Sequence, residues 1–117
     1  MITVVSSSRY KIHRTRIKGK AESFLLTHEL DSVKTNVTIA FIGKNKMRQV
    51  SNDYKNEDVA LPVLSFTYND EQEDGHTFLG EIVICYPQAI LLAAERNKKV
   101  DDMLDSLIEH GLDNLLK

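Results

Sequence analysis

Two polar side chains near the end of the chain, His110 and Asn114, have the type and spacing to do chemistry. They stand four positions apart, so on a helix advancing ~100° per residue they lie ~40° from one another. Around them Met103, Leu104, Leu107, Ile108, Leu112, Leu115 and Leu116 recur at the 3,4 spacing that gives a helix one wide apolar face. His110 and Asn114 fall on one border of that arc. An imidazole and a carboxamide one turn apart, at the edge of a core, is how a helix presents a metal or a substrate site. The nearby acids Asp113 and Glu109 sit ~60° and ~100° around the helix from His110, toward the polar face, and neither replaces a ligand.

Cations form a second candidate set. Arg9, Lys11, Arg14, Arg16, Lys18 and Lys20 crowd the first twenty residues with no acid among them. The whole chain has net charge −2, so the remainder is acidic, most densely in Asp70–Asp74 and in the last helix. A one-sided basic segment suits contact with phosphates; it also suits a solvated helix face and the loop leading to it. Lys44, Lys46, Arg48 and Lys55 make a second segment basic. Cys85 lies inside an apolar run, which reads as a buried, inert thiol rather than a nucleophile. His28 reads as a helix-border residue and His76 as a solvated loop residue; whether either approaches His110 is a question of tertiary structure.

These residues need elements to position them. Ile2–Val5 is short and β-branched, a first strand. A helix through about Ile17 to Leu30 carries the stripe Ile17, Ala21, Phe24, Leu25 and His28. Asn36–Ile42 is a strand ended by Gly43, and Asn45 is placed to cap a helix in which Met47, Val50, Ser51 and Tyr54 share a face. Pro62 precedes a third strand, Val63–Tyr68. The polar stretch Asn69–Thr77 joins it to Phe78–Tyr86 as an extended hairpin. Pro87 suits the first turn of a helix over Gln88–Asn97, with Ala89, Ile90, Ala93 and Ala94 inward. The final helix follows, acids at its start and Lys117 at its end. The order β-α-β-α-β-β-α-α implies an α+β fold, a small mixed four-stranded sheet with helices packed on it.

With 117 residues, 42% hydrophobic and 27% charged, the chain makes one ordinary globular domain over 1–117. No apolar run approaches the ~20 residues of a membrane span, and the first ten residues lack the pattern of a signal peptide. A single cysteine cannot form an internal disulfide, so a reducing cytoplasm is the expected location.

Four stretches, in this order and spacing, resemble the YbeY family of bacterial rRNA maturation factors, metal-dependent single-strand endoribonucleases. Val37–Ile42 with the helix end Asn52-Asp53-Tyr54-Lys55 is similar to the family's strand and its Asn-x-x-Tyr-Arg. Val63-Leu64-Ser65-Phe66 matches the Val-Leu-Ser-Phe that follows Thr-Asp in the family. Leu79-Gly80-Glu81-Ile82-Val83-Ile84-Cys85 matches Leu-Gly-Asp-Ile-x-Ile-Cys. His110-Gly111-Leu112 matches the opening of His-Gly-x-x-His-x-x-x-x-x-His. Together they cover the chain from about Thr35 onward.

The resemblance implies zinc held by three histidines at i, i+4 and i+10, an arginine at the position of Lys55, and rRNA as substrate. It makes His110 and Asn114 the metal positions and His110 and Lys55 the catalytic ones. Arg9, Lys11, Arg14, Arg16, Lys18, Lys20 and Arg48 become the RNA-contacting cations. This chain departs from the pattern. Asn114 stands at the second histidine, Lys117 precedes the third, Leu61-Pro62 replace Thr-Asp, and Glu81 replaces Asp. Lys55 keeps charge but lacks the planar fork that grips phosphate at two points. A hydrolytic zinc needs three protein ligands and a water whose pKa it lowers to ~7, and a neutral amide oxygen binds zinc weakly. Three readings follow: an rRNA-processing endoribonuclease, an inactive RNA- or ribosome-binding module of the same fold, or a truncated form of a longer enzyme. The implied partners are rRNA and ribosomal proteins, with neither DNA nor a membrane.

Overall fold

Alternation is strict in Thr35–Ile42, where every second side chain is buried and the others are half-exposed. That period of two builds the strand from which the sheet is laid out. In the computed structural model, which describes residues 1–117, it is strand β2. In chain order the elements are β1 (Ile2–Val5), α1 (Arg14–Thr27), β2, α2 (Lys44–Lys55), β3 (Val63–Glu71), β4 (Thr77–Cys85), α3 (Tyr86–Glu95) and α4 (Val100–Leu115). The sheet order is β1-β2-β4-β3. β1 and β4 run parallel to β2, while β3 returns antiparallel to β4 as the edge strand. The element order and the mixed four-stranded sheet are those the sequence implies.

The two faces of the sheet are covered unequally. Ile2, Val4, Val37, Ile39, Phe41, Ile82 and Ile84 point to the face packed by α1, α3 and α4, where the main core lies. α4 contributes Met103, Leu104, Leu107, Ile108, Leu112 and Leu115, all buried; burial of each large aliphatic side chain stabilises by about 1.5–3 kcal/mol. On the other face only α2 and the loop after it pack, through Met47, Ala60, Leu64, Val83 and Cys85.

Several boundaries differ from those the sequence implies, for local reasons. α1 begins at Arg14 and ends at Thr27. Glu29 adopts a left-handed φ of 61°, and the Leu30 and Glu29 amides donate to the carbonyls of Leu25 and Leu26, a Schellman-type stop. His28 is therefore the exposed C-cap, stacked on Phe24, and not part of the buried stripe. The N-cap of α2 is Gly43, not Asn45, with no side-chain cap. The hairpin strands run further than expected, leaving Gln72–His76 as the turn, with Gly75 at φ 85°. In α3, Ala89 and Ala93 face inward, but Ile90 and Ala94 are exposed. Tyr86, Ala89 and Ala93 are the residues of this ten-residue helix that enter the core, with Leu92 packed against it.

Candidate functional site

The loop from Asn56 to Pro62 is irregular, yet it is held at three points. Arg48 donates to both oxygens of Asp58 at 2.8 and 2.9 Å, the Leu61 amide donates to Ser51 Oγ, and Gln88 Nε2 donates to the Ala60 carbonyl at 2.7 Å. α2 stops beside it because Asn56 takes a left-handed φ of 55°, which leaves Lys55 in the last turn, where a cation complements the helix dipole. On the other side, α4 approaches the sheet at Gly111. A Cβ there would come within 2.8 Å of Ile82 Cγ2, so only glycine permits this closeness. Ser65 Oγ, on β3, donates to the Gly111 carbonyl at 3.2 Å and ties strand to helix.

Between these elements lies an open groove of about 350 Å3 lined by Lys55, Glu57, Leu61, Ser65, His110 and Asn114, among others. His110 is exposed and Asn114 half-buried. The Asn114 carboxamide nitrogen lies 3.3 Å from His110 Nε2, so the two side chains meet across one helical turn. The arrangement offers a cation, a hydroxyl, a carboxamide and an imidazole to one polar ligand. Such a set can bind a phosphate and hydrogen-bond a ribose or a base.

A zinc ion of hydrolytic type does not fit these donors. It takes three protein ligands; here one imidazole and one carboxamide converge, and no three His, Cys, Asp or Glu side chains come together anywhere in the structure to hold an ion. His28 and His76 do not line the groove. His76 is held in the hairpin turn, its amide donating to Asp74.

The basic segment at the start of the chain lies elsewhere. Arg16 donates to Asp102 at 2.8 Å and to Asp105 at 2.7 Å, and Lys20 pairs with Glu109 at 3.3 Å. Hydrogen bonds to Asp105 and then Asp102 hold the Arg16 guanidinium well above its ordinary pKa. Arg14 donates to the Val4 carbonyl. Half of the six cations therefore bind the protein's own acids and carbonyls, whereas Arg9, Lys11 and Lys18 have no ion-pair partner. Arg48 is engaged with Asp58. None of these seven lines the His110 groove. Glu81, the carboxylate of β4, opens on the opposite face of the sheet. Sequence reasoning named neither Glu57 nor Ser65 as a site residue. The interval of two between Val63 and Ser65 on an edge strand was the available signal for Ser65; Glu57 follows a helix end and carried none.

Comparison with known proteins places this geometry. The family model described as Endoribonuclease YbeY matches residues 3–116. Curated proteins of that name are similar. The one from Thermodesulfovibrio yellowstonii is 31% identical over 80 residues, covering 68% of this chain and 50% of that protein. The one from Finegoldia magna is 29% identical over 97 residues, covering 83% and 63%. This chain thus spans half to just under two thirds of the length of these relatives. Among solved structures, the solution structure of TM1509 from Thermotoga maritima superposes with a TM-score of 0.68 at 20% identity, over 100% of this chain and 73% of that one, a likeness of fold.

Proposed function

From the premise that this chain belongs to the YbeY endoribonuclease family, we propose that it acts on single-stranded ribosomal RNA in the cytoplasm during ribosome maturation, gripping the strand in the groove between β3, α4 and the end of α2. Lys55 meets a phosphate. Ser65 and Asn114 hydrogen-bond to ribose or base, and His110 lends its imidazole at the groove's open side. One observation carries this reading: Lys55, Ser65, His110 and Asn114 line one solvent-open groove, although they come from three separate elements.

Within that role, the donors favour holding RNA over cutting it. An imidazole with a neutral amide binds zinc weakly, and no hydrolytic step is assigned to the groove on this donor set. A second reading, cleavage by a zinc site at His110, draws its support from the family's name and from the contact between His110 and Asn114 at the spacing of two family ligands.

Fluorescence anisotropy with a single-stranded RNA oligonucleotide, over a series of salt concentrations, tests the first reading. Wild type is expected to bind with a salt-dependent affinity, and Lys55→Ala to lower the slope of log K against log salt by about 0.7, one single-strand phosphate contact. Affinity and slope unchanged in both Lys55→Ala and His110→Ala refute it. Elemental analysis and a nuclease assay on the same protein decide the second reading: stoichiometric zinc with cleavage lost in His110→Ala establishes it.

A further inference from the structure

The half-covered face of the sheet presents a row of aromatic rings. Phe66 and Tyr68 share one face of β3, Phe78 lies on the neighbouring β4, and Tyr54 reaches over from α2. The rings are arranged in two pairs. Tyr54 and Phe66 meet edge to face with centroids 4.8 Å apart, and Tyr68 stacks on Phe78 at 5.2 Å with planes 15° apart. Tyr54 and Tyr68 are 68% and 55% exposed, an unusual state for two large rings already held in place by aromatic neighbours. Between them lies an open groove of about 230 Å3, with Ala40 and Ile42 in its floor, Lys46 on one wall and Glu81 on the other.

We infer that this face is a second contact for single-stranded RNA, one that stacks bases on Tyr54 and Tyr68. Every base has a π-face, so exposed, pre-positioned rings on an open sheet bind unpaired bases with little regard to sequence. Charge complements the rings. Lys44 and Lys46 lie along α2, exposed and outside every ion pair, where they meet the phosphates between stacked bases. The Glu81 carboxylate accepts hydrogen bonds from exocyclic amino groups, the part of a base that a carboxylate reads. Asp70 and Glu71 at the far end of β3 repel a polyanion, which directs the strand along α2 rather than out over the hairpin.

Size and charge favour a nucleic-acid strand over other occupants. The groove is smaller than the ~300–1,000 Å3 of an enclosed small-molecule site. A protein partner of the usual kind covers an apolar patch larger than a few hundred Å2, whereas here a small apolar floor is flanked by the charges of Lys46 and Glu81. The two RNA contacts border the same edge strand. Ser65 faces the His110 groove and Phe66 faces the rings, while Tyr54 and Lys55 are successive residues of α2. A strand crossing the β3 edge touches both.

This inference shares its partner with the proposed function but not its groove, so one set of titrations separates them. Anisotropy with a single-stranded RNA 12-mer is measured for wild type, Tyr54→Ala, Tyr68→Ala, Tyr54→Phe and Lys55→Ala. Because stacking contributes ~1–3 kcal/mol per base, each alanine variant is expected to bind at least about fivefold more weakly. Tyr54→Phe, which keeps the ring, is expected to stay within about twofold. Both tyrosines are exposed, so their replacement leaves the fold intact, and circular dichroism verifies it. If the alanine variants weaken while Lys55→Ala does not, the aromatic face stands and the His110 groove falls. If Lys55→Ala weakens while both alanine variants match wild type, the face serves another partner, such as a protein, and the inference is overturned. Absence of binding by wild type overturns both.

Discussion

Gly80 is the position at which adding one methyl group has the largest calculable consequence. It lies in β4, paired with Val37 on one side and Thr67 on the other, beside the irregular register of both neighbours. A Cβ built there meets the Phe66 carbonyl oxygen at 2.3 Å and Leu115 Cδ2 at 2.6 Å. The leucine tip can rotate away. The carbonyl cannot, because it belongs to β3 in the ladder with β4, so relief requires the strands to part and Phe66 to move. Overpacking typically costs about 1–3 kcal/mol, and a backbone obstacle puts Gly80→Ala at its upper end, about 3 kcal/mol. That is a large share of the ~5–15 kcal/mol that stabilises a domain. At ~4 °C per kcal/mol for this chain length, Tm falls by about 12 °C. Gly19→Ala is the internal control: same substitution, helix interior, nothing within 4 Å of the new Cβ. It is expected to stabilise by ~0.5–1 kcal/mol through helix propensity and a less flexible unfolded chain. Urea denaturation followed by far-UV circular dichroism measures both. A loss below about 1 kcal/mol in Gly80→Ala, with Gly19→Ala behaving as stated, refutes the close-approach argument.

Two further outcomes follow from the seams of the fold. Arg16 bridges Asp102 and Asp105 across α1 and α4, so Arg16→Gln lowers Tm at low ionic strength, and the difference from wild type shrinks in 1 M salt as screening removes the pair; a difference independent of salt contradicts the ion-pair account. Cys85 is fully buried, and burial raises its thiol pKa above the ordinary value near 9. A raised folded-state pKa contributes stability that is complete below the unfolded value and lost as pH rises through the folded one. Wild-type stability therefore falls more steeply above about pH 9 than that of Cys85→Ala, and the native thiol reacts with a disulfide reagent only at the rate of unfolding; fast labelling of the folded protein defeats both statements.

The chemistry of the α1–α4 seam shows why a sequence reading of charge stops short. Six cations without an acid read as a surface for phosphate, because the acids that answer them lie some 86 to 89 residues away in the chain. Only the packing of α1 beside α4 brings Arg16 to Asp102 and Asp105, and Lys20 to Glu109. The site behaves the same way. Lys55 and His110 are each visible as candidates, but nothing in their local pattern places them with Ser65 and Glu57 around one groove. The aromatic face was least visible of all. Alternation along β3 tells which side chains share a face, not that α2 is too short to cover that face.

What the sequence alone determined is periodic. A spacing of 3,4 made α4 a buried helix with His110 and Asn114 at its margin, apolar runs made β2 and, joined by a polar stretch, the β3–β4 hairpin, and glycine and proline punctuated them. These are properties of residues within a turn or a strand of one another, where backbone geometry dictates which side chains are neighbours. Tertiary structure decided everything that depends on two elements meeting: which cations are neutralised, which polar groups share a groove, and which face of the sheet stays open. Those contacts are set by how the layers pack, and a linear pattern carries only the propensity of each partner to be there.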